Sequence, residues 1–171
     1  MEFRLAVADD LPQLEAVFGK LIEYMSASGI SMWDEYYPCP FFAEDIERGD
    51  MYVLTDGATI ASAFVLCPFD TEPDCESIGW EAPDARSFYL VRFGVNVDYL
   101  RKGIGKTMLR SAMALARDMG AEYLRLFVAE MNAPAVRLYE QCGFRRACGV
   151  YDLMVDEYSL PIREHGYEIR L

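Results

Sequence analysis

The sequence predicts a mixed α/β fold in which helices pack on a sheet, and three observations support this. Apolar residues recur at helical spacing from Leu14 to Met25 and again from Ile104 to Met119. Segments rich in β-branched and aromatic residues alternate with these helices along the chain. No internal repeat, low-complexity tract or linker interrupts the pattern, so a single domain is expected over residues 1–171.

The first half of the chain is predicted to contain three strands and two helices. Asp10 is expected to cap the first helix with Gln13 as its capping-box partner, and Gly29 ends that helix. Asp56-Gly57 is a strong signal for a hairpin between two strands. The predicted strands are Phe3–Ala6, Met51–Thr55 and Thr59–Cys67, and the second helix is Ala43–Arg48.

The second half is predicted to begin with a strand over Ser87–Val97. Gly94 lies inside it, and a glycine there often marks a bulge or the close approach of another backbone or a ligand. A helix is expected over Gly103–Met119, because Gly120 is a good C-terminal stop. The remaining predicted elements are the strand Tyr123–Ala129, the helix Pro134–Gln141 and two strands over Val150–Val155 and Tyr167–Arg170.

Composition excludes several classes of function. The net charge of −12 disfavours nucleic acid and anionic membranes as partners, although solubility explains the same charge. No apolar run approaches the about 20 residues that span a bilayer, and the N-terminus does not resemble a signal peptide. The five cysteines form no C-x-x-C pair, and His165 is the one histidine, so no metal site is expected. A cytoplasmic location is the simplest expectation. His165 itself is expected in a C-terminal turn, in a structural or exposed position.

The segment from Arg101 to Lys106 is predicted to bind an anion. It follows a strand and opens a helix, whose first N–H groups and positive dipole end attract negative charge. Gly103 and Gly105 remove the side chains that would keep an anion away. Arg101, Lys102 and Lys106 form a dense basic cluster in an acidic chain. Phosphate is the expected ligand group. The structural alternative is that Gly103 only relieves a tight turn and binds no anion.

Gly105-Lys106-Thr107 also resembles the end of a nucleotide-binding P-loop. That motif requires a glycine at position 100, where this chain has Leu100. The nucleotide-binding interpretation is therefore disfavoured.

A second motif lies one strand downstream, from Asn132 to Phe144. Together with the glycine turn, the pattern N-x-x-A-x-x-x-Y-x-x-x-G-F resembles the acetyl-CoA core of prokaryotic-type N-acetyltransferases of the GNAT superfamily. The resemblance covers about Ser87 to Phe144. The family usually has Gln or Arg where this chain has Leu100, which leaves the individual phosphate contacts open.

The resemblance implies a GNAT fold: a mostly antiparallel mixed sheet of six to seven strands with a splayed parallel pair, flanked by about four helices. It also implies acetyl-CoA as co-substrate, without a metal. The pantetheine arm would lie between the splayed strands, with backbone groups of Val95 and Val97 pairing with it. The residues implied to bind acetyl-CoA are Val95, Val97, Arg101, Lys102, Gly103, Ile104, Gly105, Lys106, Asn132, Ala135 and Tyr139.

The same resemblance implies a reaction in which an amine attacks the thioester directly. Tyr139 would protonate the leaving thiolate, or donate a hydrogen bond to it, unless it is a core aromatic. The N–H of Val95 would point at the thioester oxygen. Glu130 is the first candidate for the general base, with a solvated surface carboxylate as the alternative. Asn132 would cap its helix and contact the pantetheine, or only cap the helix.

The acceptor pocket is expected outside these motifs, in the connection Ile30–Phe42, the loop Pro68–Arg86 and the C-terminal strands. Trp33 and Trp80 would line it, or would fill core between loop and sheet. Acidic residues in the same loops would attract a cationic amine, although ordinary solvated loops explain them as well; they are Asp34, Glu35, Asp74, Glu76, Glu81 and Asp84.

The leading hypothesis is an N-acetyltransferase that acts on a small-molecule or peptide amine. A non-catalytic acyl-CoA-binding or sensory module is the alternative, because it would need the same turn without a role for Tyr139. Family members often dimerise through their C-terminal strands, which implies a homodimer.

Overall fold

A computed structural model of the chain describes residues 1–68, 77–154 and 161–171. These residues form eight strands and four α-helices. The strands are β1 (Glu2–Leu5), β2 (Met51–Asp56), β3 (Thr59–Pro68), β4 (Ser87–Val95), β5 (Tyr123–Ala129), β6 (Arg145–Arg146), β7 (Tyr151–Leu153) and β8 (Ile162–Arg170). The helices are α1 (Leu11–Ala27), α2 (Phe42–Arg48), α3 (Ile104–Asp118) and α4 (Ala133–Gln141).

The chain divides into two compact units. One comprises residues 1–66 and 90–112, and the other comprises residues 67–89 and 113–171. In the first, the strand order is β1-β2-β3-β4, and β2 pairs with both β1 and β3 in antiparallel fashion. In the second, the order is β4-β5-β8-β6, with β7 also paired to β8. The predicted mixed, mostly antiparallel sheet is confirmed, whereas the single domain stays a prediction.

The core of the first unit lies between α1 and the strands. Leu14 and Phe18 of α1 are fully buried, and the ring of Phe18 packs edge-on against Phe42 with centroids 4.7 Å apart. A Cβ added to Gly94 of β4 would lie 2.7 Å from the ring of Phe18. Gly94 is therefore closely approached, but by a side chain of α1 and not by another backbone or a ligand as expected.

The N-terminus of α1 differs from the prediction. The helix begins at Leu11, and Asp10 makes no capping hydrogen bond with its side chain. Its carboxylate instead forms a two-pronged ion pair with Arg4, at 2.7 and 2.9 Å. Gln13 donates to the carbonyl of Ala58 at 3.0 Å, so it braces the β2–β3 turn and does not complete a capping box. The carboxylate of Asp10 also accepts the N–H of Val7 at 2.8 Å, so its partners are nearby in sequence, whereas Gln13 bonds a residue of a distant turn.

The second unit is built around β5, which pairs on both sides. The parallel register with β4 runs from Ser87 opposite Tyr123 to Tyr89 opposite Arg125. On the other side β8 pairs with β5 in antiparallel fashion along its whole length. The parallel pair is confirmed, and the splay beyond this register stays a prediction.

Two predicted boundaries are wrong. Strand β4 ends at Val95, because Asn96 begins a 3-10 turn that contains Val97. The carbonyl of Val97 accepts the N–H of Leu100 at 3.3 Å. The expectation that Val97 extends the strand therefore fails. The last strand begins at Ile162 and not at residue 167, because the whole of β5 offers it a pairing edge.

None of the helices in the described ranges is both long enough and apolar enough to cross a membrane.

Candidate active site

The turn between β4 and α3 is anchored by Asn96, a residue that sequence reasoning missed. Asn96 is buried, and its side-chain Nδ2 donates to the carbonyl of Ile60 at 2.9 Å. Its backbone N–H donates to Ala61 at 3.0 Å, and its Oδ1 accepts from the N–H of Asp98 at 3.1 Å. The turn is therefore held against β3 at its first residue. The position of a polar residue, Asn96, directly after a strand of buried residues was the sequence signal that could have indicated this role.

The backbone of the turn leaves donors unpartnered. Within the described residues, no group accepts a hydrogen bond from the backbone N–H groups of Arg101 to Lys106. Helix α3 starts at Ile104, so the last three of these belong to its first turn, where no intrahelical acceptor exists. Consecutive free N–H groups at a helix start are a ready anion site.

Two residues of this turn have left-handed backbone conformations. The φ angle is +61° at Arg101 and +79° at Gly103. A Cβ added at Gly103 would meet nothing within 4 Å, so glycine is needed there for its conformation more than for room. Turns with left-handed residues can aim successive N–H groups at one anion.

The basic side chains of the turn divide into two groups. Lys102 donates to the carbonyl of Asp98 at 2.8 Å and lies 5.0 Å from the ring centroid of Tyr99, so it stabilises the turn. Arg101, Lys106 and Arg110 are exposed, and none of them is paired with an acidic residue in the described part of the chain. Their charges remain available to a ligand and add to the positive end of α3.

The segment after β5 opens helix α4 with a capped start. The side chain of Asn132 accepts the N–H of Ala135 at 3.3 Å, and Pro134 fits the first turn, where no N–H is needed. The capping half of the Asn132 prediction is therefore seen in the structure. Because the Ala135 N–H is engaged by the cap, the predicted contact of Ala135 with acetyl-CoA cannot use that group without competing with the cap.

Tyr139 lies on α4 and is buried, with 6% of its surface exposed. Its ring centroid is 5.8 Å from that of Phe144, and its carbonyl accepts the N–H groups of Cys142 and Phe144. Burial raises the pKa of Tyr139 well above its ordinary value, since the phenolate is poorly solvated there. The side chain is therefore a neutral O–H donor at physiological pH.

Glu130 follows β5 directly and is exposed. Its backbone N–H donates to the carbonyl of Arg163 at 2.9 Å, which fixes its backbone against β8. An exposed carboxylate is accessible to an incoming amine, but the same exposure is typical of a solvated surface residue without a catalytic role. Its role as a base stays a prediction.

His165 lies within β8 opposite Val128, so the prediction of a C-terminal turn is wrong. It is buried, and its Nδ1 lies 2.8 Å from Nη2 of Arg146, which always donates, so Nδ1 accepts. Burial first, and the charge of Arg146 second, lower the pKa of His165, while Glu130 opposes this shift. The ring is therefore a neutral, inward-facing group of the strand.

The two tryptophans both pack on aromatic neighbours. Trp33 is partly buried, with its ring stacked on Phe18 at 5.7 Å between centroids. Trp80 is buried, and the guanidinium of Arg125 lies 4.9 Å from its ring centroid. These contacts suit the core alternative, and the pocket role of either residue stays a prediction. Asp74 and Glu76 lie outside the described residues.

Within the described ranges, no group of three or more His, Cys, Asp or Glu side chains is arranged to hold a metal ion.

Comparison with known proteins identifies the family. A sequence model of the acetyltransferase (GNAT) family matches residues 21–144, which include the turn at Arg101–Lys106 and Tyr139. The chain belongs to this family. The predictions of a GNAT fold and of an N-acetyltransferase are confirmed. Members of the family use acetyl-CoA as co-substrate.

Individual relatives agree with this assignment. An uncharacterized N-acetyltransferase of Bacillus subtilis (strain 168), YvbK, is 27% identical over 127 residues, covering 74% of this chain and 73% of that protein. A GNAT-family acetyltransferase structure from Streptococcus agalactiae 2603 superposes with a TM-score of 0.81 at 16% identity, over 99% of this chain and 95% of the other. The ribosomal-protein-alanine N-acetyltransferase structure from Brucella melitensis gives 0.73 at 20% identity, with full coverage of both chains. At these identities the structural matches establish the fold alone.

Proposed function

We propose that this GNAT acetyltransferase transfers an acetyl group from acetyl-CoA to a primary amine of a small molecule or peptide. The acetyl-CoA part of this proposal rests on the run of unpartnered N–H groups from Arg101 to Lys106. The unpaired cations Arg101, Lys106 and Arg110 add to it. The pyrophosphate of the co-substrate is the anion that this turn binds. The N–H of Val95 donates to the thioester oxygen and stabilises the charge that develops on it.

The reaction runs by direct attack in a ternary complex. The substrate ammonium loses one proton to Glu130, which passes it to solvent. The neutral nitrogen then forms a bond to the thioester carbon and loses its second proton to solvent. The carbon–sulfur bond then breaks, and the thiolate takes a proton from the Tyr139 hydroxyl, which regains one from solvent. The Tyr139 hydroxyl is protonated when the thiolate leaves, as this role requires, and its burial also makes it a weaker acid than an ordinary tyrosine.

The direct test is the release of CoA thiol from acetyl-CoA in the presence of a broad panel of amines. The expected result is thiol release that depends on the amine and is matched by acetylated product in mass spectra. The protein incubated with acetyl-CoA alone should show no acetylated form, since no acyl-enzyme is proposed.

Two other results would contradict the proposal. Tight binding of acetyl-CoA in calorimetry, without turnover of any amine, would favour a non-catalytic acyl-CoA-binding module. Binding of ATP without binding of CoA would instead identify the turn as a nucleotide site.

A further inference from the structure

Strand β4 carries an irregularity at Arg92. Val91 packs against the core cluster that contains Phe18, and a Cβ added to Gly94 would also point at Phe18. In a regular strand, residues three apart point to opposite faces. Arg92 lies between them with a φ of +51°, a conformation that is rare for a residue with a side chain. The alternation is therefore interrupted at Arg92, as in a β-bulge.

The guanidinium of Arg92 is held between aromatic rings and a buried carboxylate. Its Cζ lies 5.3 Å from the ring centroid of Tyr37 and 4.9 Å from that of Phe41. Its Nη1 donates to Oδ1 of Asp45 at 3.3 Å, and the side chain of Asp45 is fully buried. Arg48 forms an ion pair with the same oxygen. Two contacts with aromatic rings and one ion pair thus hold the Arg92 guanidinium in place.

The connection that supplies these rings is itself ordered. Asp34 accepts the N–H groups of Tyr36 and Tyr37 on one carboxylate oxygen, at 2.8 and 3.1 Å. This turn fixes the backbone at Tyr37, and Trp33 beside it packs on Phe18. Asp34, which the sequence offered as an attractor for cationic amines, uses its carboxylate to shape the loop.

One amino group of the Arg92 guanidinium stays accessible. The side chain is 15% exposed, and its Nε is buried without a hydrogen-bond partner among the described residues. Its Nη2 also has no acceptor there, and it is not among the buried unpartnered atoms, so it is accessible. A rigidly held guanidinium with one accessible, unpartnered N–H₂ group can donate a charge-assisted hydrogen bond to a carboxylate.

We propose that Arg92 determines acceptor specificity by binding a carboxylate of the acceptor, so that the preferred substrates are amines that also carry a carboxylate. The proposal rests on the proposed function. Arg92 lies three residues before Val95, the proposed thioester donor, on the same strand. An acceptor that spans this separation has its amine and carboxylate several bonds apart, as in an ω-amino acid or a short peptide with a free C-terminus.

The test compares acceptors that differ only in the anionic group. Straight-chain ω-amino acids from glycine to 6-aminohexanoate are assayed beside their amides and the matching alkylamines, by release of CoA thiol. In the wild-type protein the amino acid of best length should have a KM about 10-fold or more below that of its amide, as expected for a charge-assisted pair. Hexanoate should inhibit in competition with the amine.

Variants then assign the effect to Arg92. Arg92→Gln should raise the KM for the amino acid about 10-fold, leave kcat within about 2-fold and leave the amide unaffected. The KM of Arg92→Lys for the amino acid should lie between those of the wild type and Arg92→Gln, because lysine keeps the charge without the planar guanidinium. Arg117→Gln is the control, since it removes an exposed arginine charge on α3, outside the Asp45 network, and should change neither acceptor's KM.

The outcomes separate this inference from the proposed function. Equal turnover of amino acids and amides by the wild-type protein, or equal losses for both in Arg92→Gln, would overturn the role of Arg92 while leaving amine acetylation intact. Turnover of none of the acceptors in the wider amine panel would count against the proposed function itself. If Arg92→Gln does not fold, the wild-type protein still tests the inference. The absence of both a preference for amino acids over their amides and competitive inhibition by hexanoate would overturn it.

Discussion

The turn at Arg101–Lys106 and the residue Tyr139 contribute to the proposed reaction in opposite ways. The turn acts through its backbone: its N–H groups are unpartnered among the described residues, and its cationic side chains are exposed. Tyr139 acts through a side chain that is almost fully buried, and this burial raises its pKa. Binding of an anion thus follows from local backbone geometry, whereas catalysis depends on an environment that only the folded protein creates. The comparison predicts that changes in the turn alter affinity and that changes at Tyr139 alter turnover.

The largest effect is expected for Tyr139→Phe. It removes the proton donor and should lower kcat about 10²-fold, the usual contribution of general acid catalysis. The dissociation constant of acetyl-CoA from calorimetry should stay within about 2-fold, because the ring and its packing on Phe144 remain. Equal losses in turnover and affinity would show that Tyr139 only supports the fold of α4.

The pH dependence of the wild-type enzyme tests the same residue. An acid catalyst works while it is protonated, and burial raises the pKa of Tyr139. Its ionisation should therefore cause no loss of kcat up to about pH 10, the ordinary value for tyrosine. An alkaline decline below that pH that disappears in Tyr139→Phe would contradict the raised pKa.

The second-largest effect is expected for the two glycines of the turn, and it separates binding from stability. Gly105→Ala and Gly103→Ala should each weaken acetyl-CoA binding about 10-fold, because a methyl group meets the bound phosphates. Gly105 is helical, so alanine there should leave stability unchanged or raise it by up to about 1 kcal/mol. Gly103 has a φ of +79°, and alanine there should cost about 1 kcal/mol. Denaturant unfolding measures the second quantity, and unaltered binding in both variants would disprove the anion site.

The sequence predicted features that depend on neighbours along the chain. The hairpin at Asp56-Gly57, the turn at Gly103 and the capped start of α4 at Asn132 are all set by local residues, and the structure contains each of them. Motif spacing also predicted the family, because the turn and Tyr139 belong to one pattern.

Features that depend on distant partners were missed. Asn96 anchors the turn through the carbonyl of Ile60, and Arg92 meets Asp45 across the first unit, so no local pattern reveals either contact. The prediction placed His165 in a turn because the local sequence does not show where β8 begins. The pairing edge of β5 sets the length of that strand. Long-range pairing, more than propensity, decided these positions.

A smaller effect is expected for the unpaired cations of the turn. Arg101→Gly and Lys106→Gln should each weaken acetyl-CoA binding about 3-fold at low ionic strength, and less in 0.5 M salt, where exposed charges are screened over about 4–5 Å. Arg117→Gln is the matched control, because it changes an exposed charge at the other end of α3. Equal effects of all three substitutions would indicate attraction by the net charge alone, without a site at the turn.

The smallest effect is expected at Asn132, where capping and co-substrate contact make different predictions. Asn132→Ala removes the acceptor of the Ala135 N–H and should lower the free energy of unfolding by about 1 kcal/mol. Asn132→Asp keeps a capping oxygen and should restore that stability, but it replaces the amide N–H₂ with a negative charge. If Asn132 only caps α4, Asn132→Asp should also restore the KM for acetyl-CoA. If its amide contacts the pantetheine, stability returns while the KM stays raised about 3-fold, in line with one lost neutral hydrogen bond. Because these two outcomes differ only in KM, paired measurements of unfolding and kinetics on the same two variants decide between them.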